Sequence, residues 1–259
     1  MIEEFLKYFW SQEGFQYDPL EGQIFQTYHL NMLLITLVFL ILFLVIGILV
    51  NNKKRYIQGL SIVLLILEAL RVYNIMVIFD RTVIAALSFH LCSIGIYFMI
   101  IAGLFNKKII YEMTFLHALI GAPLAILIPS GILPWYHVYS FLPVQSFISH
   151  LLLSFIFIYA YHYKVFELKL HRFYIPLIGL FISIGLAYGM SIYNLHFQTG
   201  GSTNFFWTRD KDPMFDQIIN LPYPYYFYVL IRLLIAVGSV VYVSMIGIRH
   251  FIEHKKSIQ

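Results

Sequence analysis

The chain is predicted to fold as an all-α, polytopic membrane bundle of seven transmembrane helices, with the N-terminus outside and the C-terminus inside. Three observations predict this. Of 259 residues, 60% are hydrophobic and only 12% are charged, which is not the balance of a soluble domain. Apolar runs of the ~17–25 residues that cross a bilayer recur along the chain. Lysine and arginine gather on one side of these runs, as the positive-inside rule requires.

The runs lie at 29–50, 57–78, 83–105, 109–128, 144–163, 174–196 and 223–248. They are continuous rather than alternating, which argues against a barrel. With no Gly/Ser- or Pro-rich linker and no inverted repeat visible, residues 29–248 are expected to form one membrane domain, preceded by an interfacial segment 1–28 and followed by a basic inner tail 249–259. Phe5, Leu6, Tyr8, Phe9 and Trp10 alternate with Glu3, Glu4, Lys7 and Gln12. That pattern suits a short helix in the outer interface, acting as an aromatic anchor or as a substrate gate. A basic n-region and a small-residue cleavage site are missing, so the first span is expected to direct insertion. The outer segments 129–143 and 197–222 have the length of functional lids.

Lys53, Lys54, Arg55, Lys107, Lys108, Lys164, Lys169, Arg172, Arg249, Lys255 and Lys256 mark the inside; Lys7, Arg81, Arg209 and Lys211 fall outside. The net charge of +4 thus reflects basic loops facing an anionic leaflet, and no nucleic-acid partner is implied. Abundant Ile, Phe, Tyr and Lys points to an AT-rich genome and a bacterial plasma membrane.

Polar residues inside the spans are the functional signal, because titratable groups in lipid are costly. Measured at ~1.5 Å per residue from the outer end of each span, Glu68 lies ~15 Å deep, Arg71 and His90 ~10 Å, Cys92 and Arg232 ~14 Å, and His150 ~9 Å. All fall in the outer-leaflet half. Asn194 and His196 sit near the outer mouth.

Glu68 and Arg71 are spaced i,i+3 and can pair on one helix face. Alternatively Glu68 pairs with Arg232 across the bundle, or one of the two arginines receives a phosphate or carboxylate head group. Cys92 is the single cysteine, so a disulfide within the chain is excluded. A lone buried cysteine can be a small packing residue or a nucleophile, which needs a base. On a regular helix His90 and Cys92 would point ~200° apart, leaving His150 of the fifth span as the candidate base. Intramembrane histidines also serve as plain helix-to-helix hydrogen bonds, the expected role of His117. A metal site built from His90, His117 and His150 lacks nearby carboxylates. His250 and His254 are read as a solvated tail, and no metal or cofactor is expected. No Gly-x-Ser-x-Gly elbow or phosphate-loop signature occurs.

Around His90-Leu91-Cys92, the chain resembles the YwaF-type integral membrane proteins that include vertebrate transmembrane protein 164. The likeness extends over nearly all of residues 29–248. It includes Glu68, Pro129, His150, the region from Asn194 to Thr203-Asn204, and Leu221-Pro222-Tyr223-Pro224-Tyr225-Tyr226. The chain departs from that pattern at Ser88-Phe89, where Leu-Pro is usual, and at Ser130, where Asp is usual; this leaves the substrate open.

The resemblance implies lipid acyl transfer with Cys92 as nucleophile. On that reading His150 is the base, His90 or Asn204 donates to the oxyanion, and Glu68, Arg71, Asn194, Asn204, Arg232 and Tyr226 line the substrate site. The partners are membrane lipids, a phospholipid donor and a lysophospholipid or other acceptor. A lipid hydrolase of the same chemistry, or a non-enzymatic seven-span transporter or receptor, are the alternatives.

Overall fold

The computed structural model describes residues 7–11, 25–129, 140–199 and 221–258, together with 132, 133, 136, 137, 202, 205 and 209. Among the described residues every regular element is helical: α1 (Thr27–Leu49), α2 (Lys53–Ile78), α3 (Val83–Ala86), α4 (Leu91–Phe105), α5 (Lys108–Met113), a π-helical turn (His117–Gly121), α6 (Ala122–Leu127), α7 (Phe141–His162), a 3-10 turn (Leu170–Arg172), α8 (Tyr174–Phe197) and α9 (Tyr225–Ile258). Five of these are long and apolar enough to cross a membrane: α1, α2, α7, the helix through α8, and α9.

The third and fourth expected spans depart from continuous helices. The third breaks after α3, leaves the helical path through 87–89 with Leu87 and His90 extended, and restarts at Leu91. Ser88 within the break finds local partners: the Tyr97 hydroxyl lies 3.0 Å from its carbonyl oxygen, and Ser93 donates to its hydroxyl at 2.9 Å.

The fourth widens because of Pro123, which has no N–H and crowds the preceding turn. The ladder shifts to π spacing, with the Ala122 N–H bonding to the His117 carbonyl. Ala118 O thereby loses the Ala122 donor and gains none from Pro123. Ser154 of α7 supplies the missing hydrogen bond at 2.7 Å.

Contacts give the register of the bundle. Ser61 meets Gly103 while Glu68 meets Tyr97, so α2 and α4 run antiparallel. Gly47 meets Tyr159 and His29 meets Phe147, so α1 and α7 run parallel. The apolar stretch of α7 is 67% buried, against 17–39% for the other four long helices, so α7 is the central staff on which the rest pack. His29 pins the start of α1: its Nδ1 accepts from Phe25 N–H at 3.0 Å, which leaves Nε2–H to donate to Ile126 O at 2.9 Å.

The lysine- and arginine-rich end is closed by ion pairs, Arg172 to buried Glu112 at 2.9 Å and Lys164 to Glu253 at 2.7 Å. At the opposite end the described part of the N-terminal segment packs onto the bundle. Tyr8 stacks on His137 at 3.9 Å, and Trp10 lies 4.7 Å from Phe141 and 6.3 Å from Tyr73.

Candidate functional site

The break in the third span decides where Cys92 sits. His90 is the extended residue ahead of α4 rather than a helical one, so the opposed-face geometry of a regular helix does not apply to it, and Cys92 is the second residue of the helix. The first intrahelical bond is Ile94 N–H to His90 O at 3.1 Å. The N–H groups of Leu91, Cys92 and Ser93 precede it and form the positive end of the helix. The Cys92 side chain is half-buried and faces the π turn, where a Cβ added to Gly121 would lie 3.3 Å from its sulfur. One turn further along α4, Gly95 packs on the His117 side chain. At Gly95 an added Cβ would collide with the His117 side chain, whereas at Gly121 the sulfur would have to give by a few tenths of an ångström.

The register brings His150 to the same level. Ser154 bonds to Ala118, Gly121 follows Ala118 by three residues towards the opposite end from the lysines, and His150 lies four residues before Ser154 on the antiparallel α7. Cys92 and His150 therefore stand at the same level of the bundle, on helices that pack together and against the π turn. The imidazole is oriented by its own helix. Its Nδ1 lies 2.6 Å from the Ser146 carbonyl oxygen, which can only accept. Nδ1 carries the proton, and the Nε2 lone pair is left to act as a base.

Behind the histidine stands a buried ion pair. Glu68, 6% exposed, takes Arg71 on both oxygens, Oε2 from Nε at 2.9 Å and Oε1 from Nη2 at 2.7 Å. The Tyr97 hydroxyl lies 2.9 Å from Oε1 and so ties this pair to the backbone at Ser88. Glu68 is within electrostatic reach of His150, and Arg71 of His90 and Tyr136. Burial raises the Tyr136 phenol above its ordinary value, against the pull of the Arg71 cation.

The other expected residues are distributed more widely. Arg232 is exposed, with its guanidinium 4.1 Å over the Tyr228 ring. The buried face of α9 carries Gly238 and Tyr242, and six residues before Gly238 is ~120° away around the helix. The cross-bundle pairing with Glu68 is thus replaced by the local one with Arg71. Asn194 is buried and occupied in holding the following loop, donating to Ser202 O at 2.8 Å and accepting from Thr199 at 2.7 Å. Tyr226 is fully buried near the start of α9. His117 bonds to Ser183 at 2.7 Å, and Ser183 in turn donates to Gly179 O. Asn204 lies outside the described residues.

Phe205 belongs to the site without having been singled out. Its N–H bonds to Ser191 at 2.9 Å, and its ring meets those of His90 and Phe89 edge-on at 5.3 and 5.6 Å. It covers the His90 side of the break. Tyr97, Gly121 and Ser154 were equally silent in the sequence, since a tyrosine, a glycine and a serine in apolar runs carry no motif. Among the described residues no group of three or more His, Cys, Asp or Glu side chains converges to hold a metal ion.

Comparison with known proteins adds one match. No curated protein and no solved structure matches the chain. A family model, that of the TMEM164 family, matches residues 24–242. Over most of its length, and through every element described above except the ends, the chain belongs to the TMEM164 family of membrane proteins.

Proposed function

We propose that the protein is a membrane-embedded acyltransferase that moves a fatty acyl chain from a phospholipid to a lysolipid or other acceptor through a Cys92 thioester. The observation that carries this reading is the register that sets Cys92, against Gly121, at the level of His150 on the neighbouring helix. A sulfur on the first turn of a helix lies level with an imidazole whose free nitrogen is the basic one.

In the reaction His150 Nε2 takes the Cys92 proton, and the thiolate attacks the acyl carbonyl carbon of the donor ester. The tetrahedral oxyanion is stabilised by the first-turn N–H groups of α4, donors fixed in place before charge develops. The ester C–O bond breaks, the departing lysolipid oxygen receives the proton from His150, and the acyl chain remains on sulfur. An acceptor hydroxyl then gives its proton to His150 and attacks the thioester; the C–S bond breaks and the thiolate regains the proton. Glu68 steadies the imidazolium formed in each half. Arg71, held by Glu68, offers its remaining N–H groups to a phosphate head group.

The same reading takes the seven apolar segments as seven crossings, with the N-terminus outside, the basic end inside and the reaction in the outer-leaflet half. Basic residues at the inner face fit that orientation.

The test is intact-protein mass spectrometry of wild type and Cys92→Ser after incubation with phosphatidylcholine vesicles. A hydroxylamine-labile acyl adduct on wild type alone is expected. Absence of any adduct, with membrane lipid composition unchanged and Cys92→Ser fully functional in cells, would overturn the acyl-transfer reading in favour of a transporter or receptor.

A further inference from the structure

A cavity of about 640 Å³ lies between α1, α6 and α7, lined by Leu40, Leu44, Pro123, Leu127, Ser154 and Ile158 among others. Its volume is in the range of sites that hold small molecules, roughly 300–1,000 Å³, and its walls are almost wholly hydrocarbon. On α7 it extends over residues 151–162, a rise of ~16 Å or about half the ~30 Å hydrocarbon core. That rise matches the length that one acyl chain spans within a leaflet, and it runs from the level of His150 toward the basic end.

The two ends differ. Ser154 lies in the wall one turn from His150, so the upper end starts beside the candidate base. At the basic end the floor is closed by polar ties. Tyr159 donates to Gly47 O at 2.7 Å, and Lys53 Nζ donates to Gly47 O at 2.8 Å while sitting 4.8 Å over the Tyr163 ring. In its wall Leu44, Ile158 and Leu127 are 44%, 49% and 48% exposed, so the side of the groove opens laterally between α1 and α6. Around a helix bundle that crosses a bilayer, such an opening meets acyl chains.

We infer that this groove holds the fatty acyl chain under transfer, its carbonyl end at Cys92 and its methyl end toward the Tyr159–Gly47–Lys53 floor, which sets the longest chain accepted. The assignment deepens the acyltransferase reading and rests on it for the position of the carbonyl. Apolar walls recognise the chain without recognising a head group, so discrimination falls on length.

The test uses full-length protein in nanodiscs of phosphatidylcholines with mixed chain lengths. Acyl groups released from the protein by hydroxylamine are measured for wild type, Leu44→Trp, Ile158→Trp and the control Ile178→Trp on the far-side helix α8. Both groove variants should lose the longest chains at least tenfold relative to short ones, and the control should keep the wild-type profile. Unchanged profiles in both groove variants, with adduct still formed, would overturn the groove and leave the acyltransferase intact.

A second arm does not need turnover. Cys92→Ser is irradiated with a phosphatidylcholine carrying a diazirine at the chain terminus, and labelled peptides are mapped. Labelling concentrated on α1 and α7 residues of the groove, and reduced by Leu44→Trp, supports the site even if wild type forms no adduct. Even labelling over all lipid-facing helices overturns it.

Discussion

Cys92 and Gly121 meet across the interface between α4 and the π turn, so closely that a methyl group on Gly121 would sit 3.3 Å from the sulfur. The π turn exists because of Pro123, and α4 begins where it does because the third span breaks. Two backbone irregularities therefore place one thiol. Gly121→Ala is expected to slow alkylation of Cys92 by a small maleimide, and formation of the acyl adduct, by ~10–100-fold through displacement of the sulfur. Thermal stability in detergent should change little, because a half-buried thiol can rotate away. Equal rates in wild type and variant would remove Gly121 from the site.

His150→Gln keeps much of the size and polarity of the imidazole but has no basic nitrogen. Adduct formation should fall by ~10²–10⁴-fold, and raising the pH should recover part of it as the thiol ionises without help. A variant as fast as wild type at neutral pH would show that Cys92 takes its base from elsewhere.

Glu68 and Arg71 are each less than a sixth exposed, and each is the other's bidentate partner. Removing one charge leaves the other in an apolar interior, at ~3–5 kcal/mol. Glu68→Gln alone should therefore lower the melting temperature in detergent sharply, whereas Glu68→Gln combined with Arg71→Met should recover most of it. Loss of phosphate-dependent activity in the double variant, with its fold restored, would separate Arg71 as a head-group ligand from Arg71 as a counter-charge. A double variant less stable than the single one would contradict the pairing.

Ser154→Ala removes the side-chain donor to Ala118 O, the carbonyl that the π turn orphans. In a bilayer such a side-chain hydrogen bond averages ~0.6 kcal/mol, so the variant should lose a few degrees of melting temperature at most. A loss several times larger would mean that the π turn depends on Ser154 rather than on Pro123.

These relationships differ in how far the residues disclosed them. Continuous apolar runs mark α1, α2, α7, α8 and α9, because burial in lipid requires both length and apolarity, and both are properties of composition. The i,i+3 spacing of Glu68 and Arg71 anticipates their pairing for the same local reason. The break at 87–89 leaves no mark: a proline ahead of His90 would have signalled it, but Phe89 stands there, and the break is held by Tyr97 and Ser93 from the helix that follows. Arg232 looked like a bundle-facing cation because depth can be counted along a span while its facing cannot, and the buried face of α9 is set by Gly238 and Tyr242. The approach of Gly121 to Cys92 depends on how two distant segments pack, which no local pattern encodes.

On the proposed acyl-transfer reading, Phe205 bears on whether the acyl chain is transferred or lost to water. Its ring covers His90 and Phe89, and its N–H is fastened to Ser191 of α8. It thus packs over the break in the third span at His90 and Phe89. A thioester at Cys92 is as open to water as to a lysolipid hydroxyl unless something excludes the water. Phe205→Ala uncovers the break while leaving Cys92 and His150 untouched. The rate of adduct formation should stay within about threefold of wild type, because the truncation removes no group that holds charge in the transition state. The ratio of free fatty acid to transferred acyl chain should rise severalfold, and Phe205→Leu should restore part of it by refilling the space. A product ratio unchanged in Phe205→Ala would mean that water is excluded by another part of the protein.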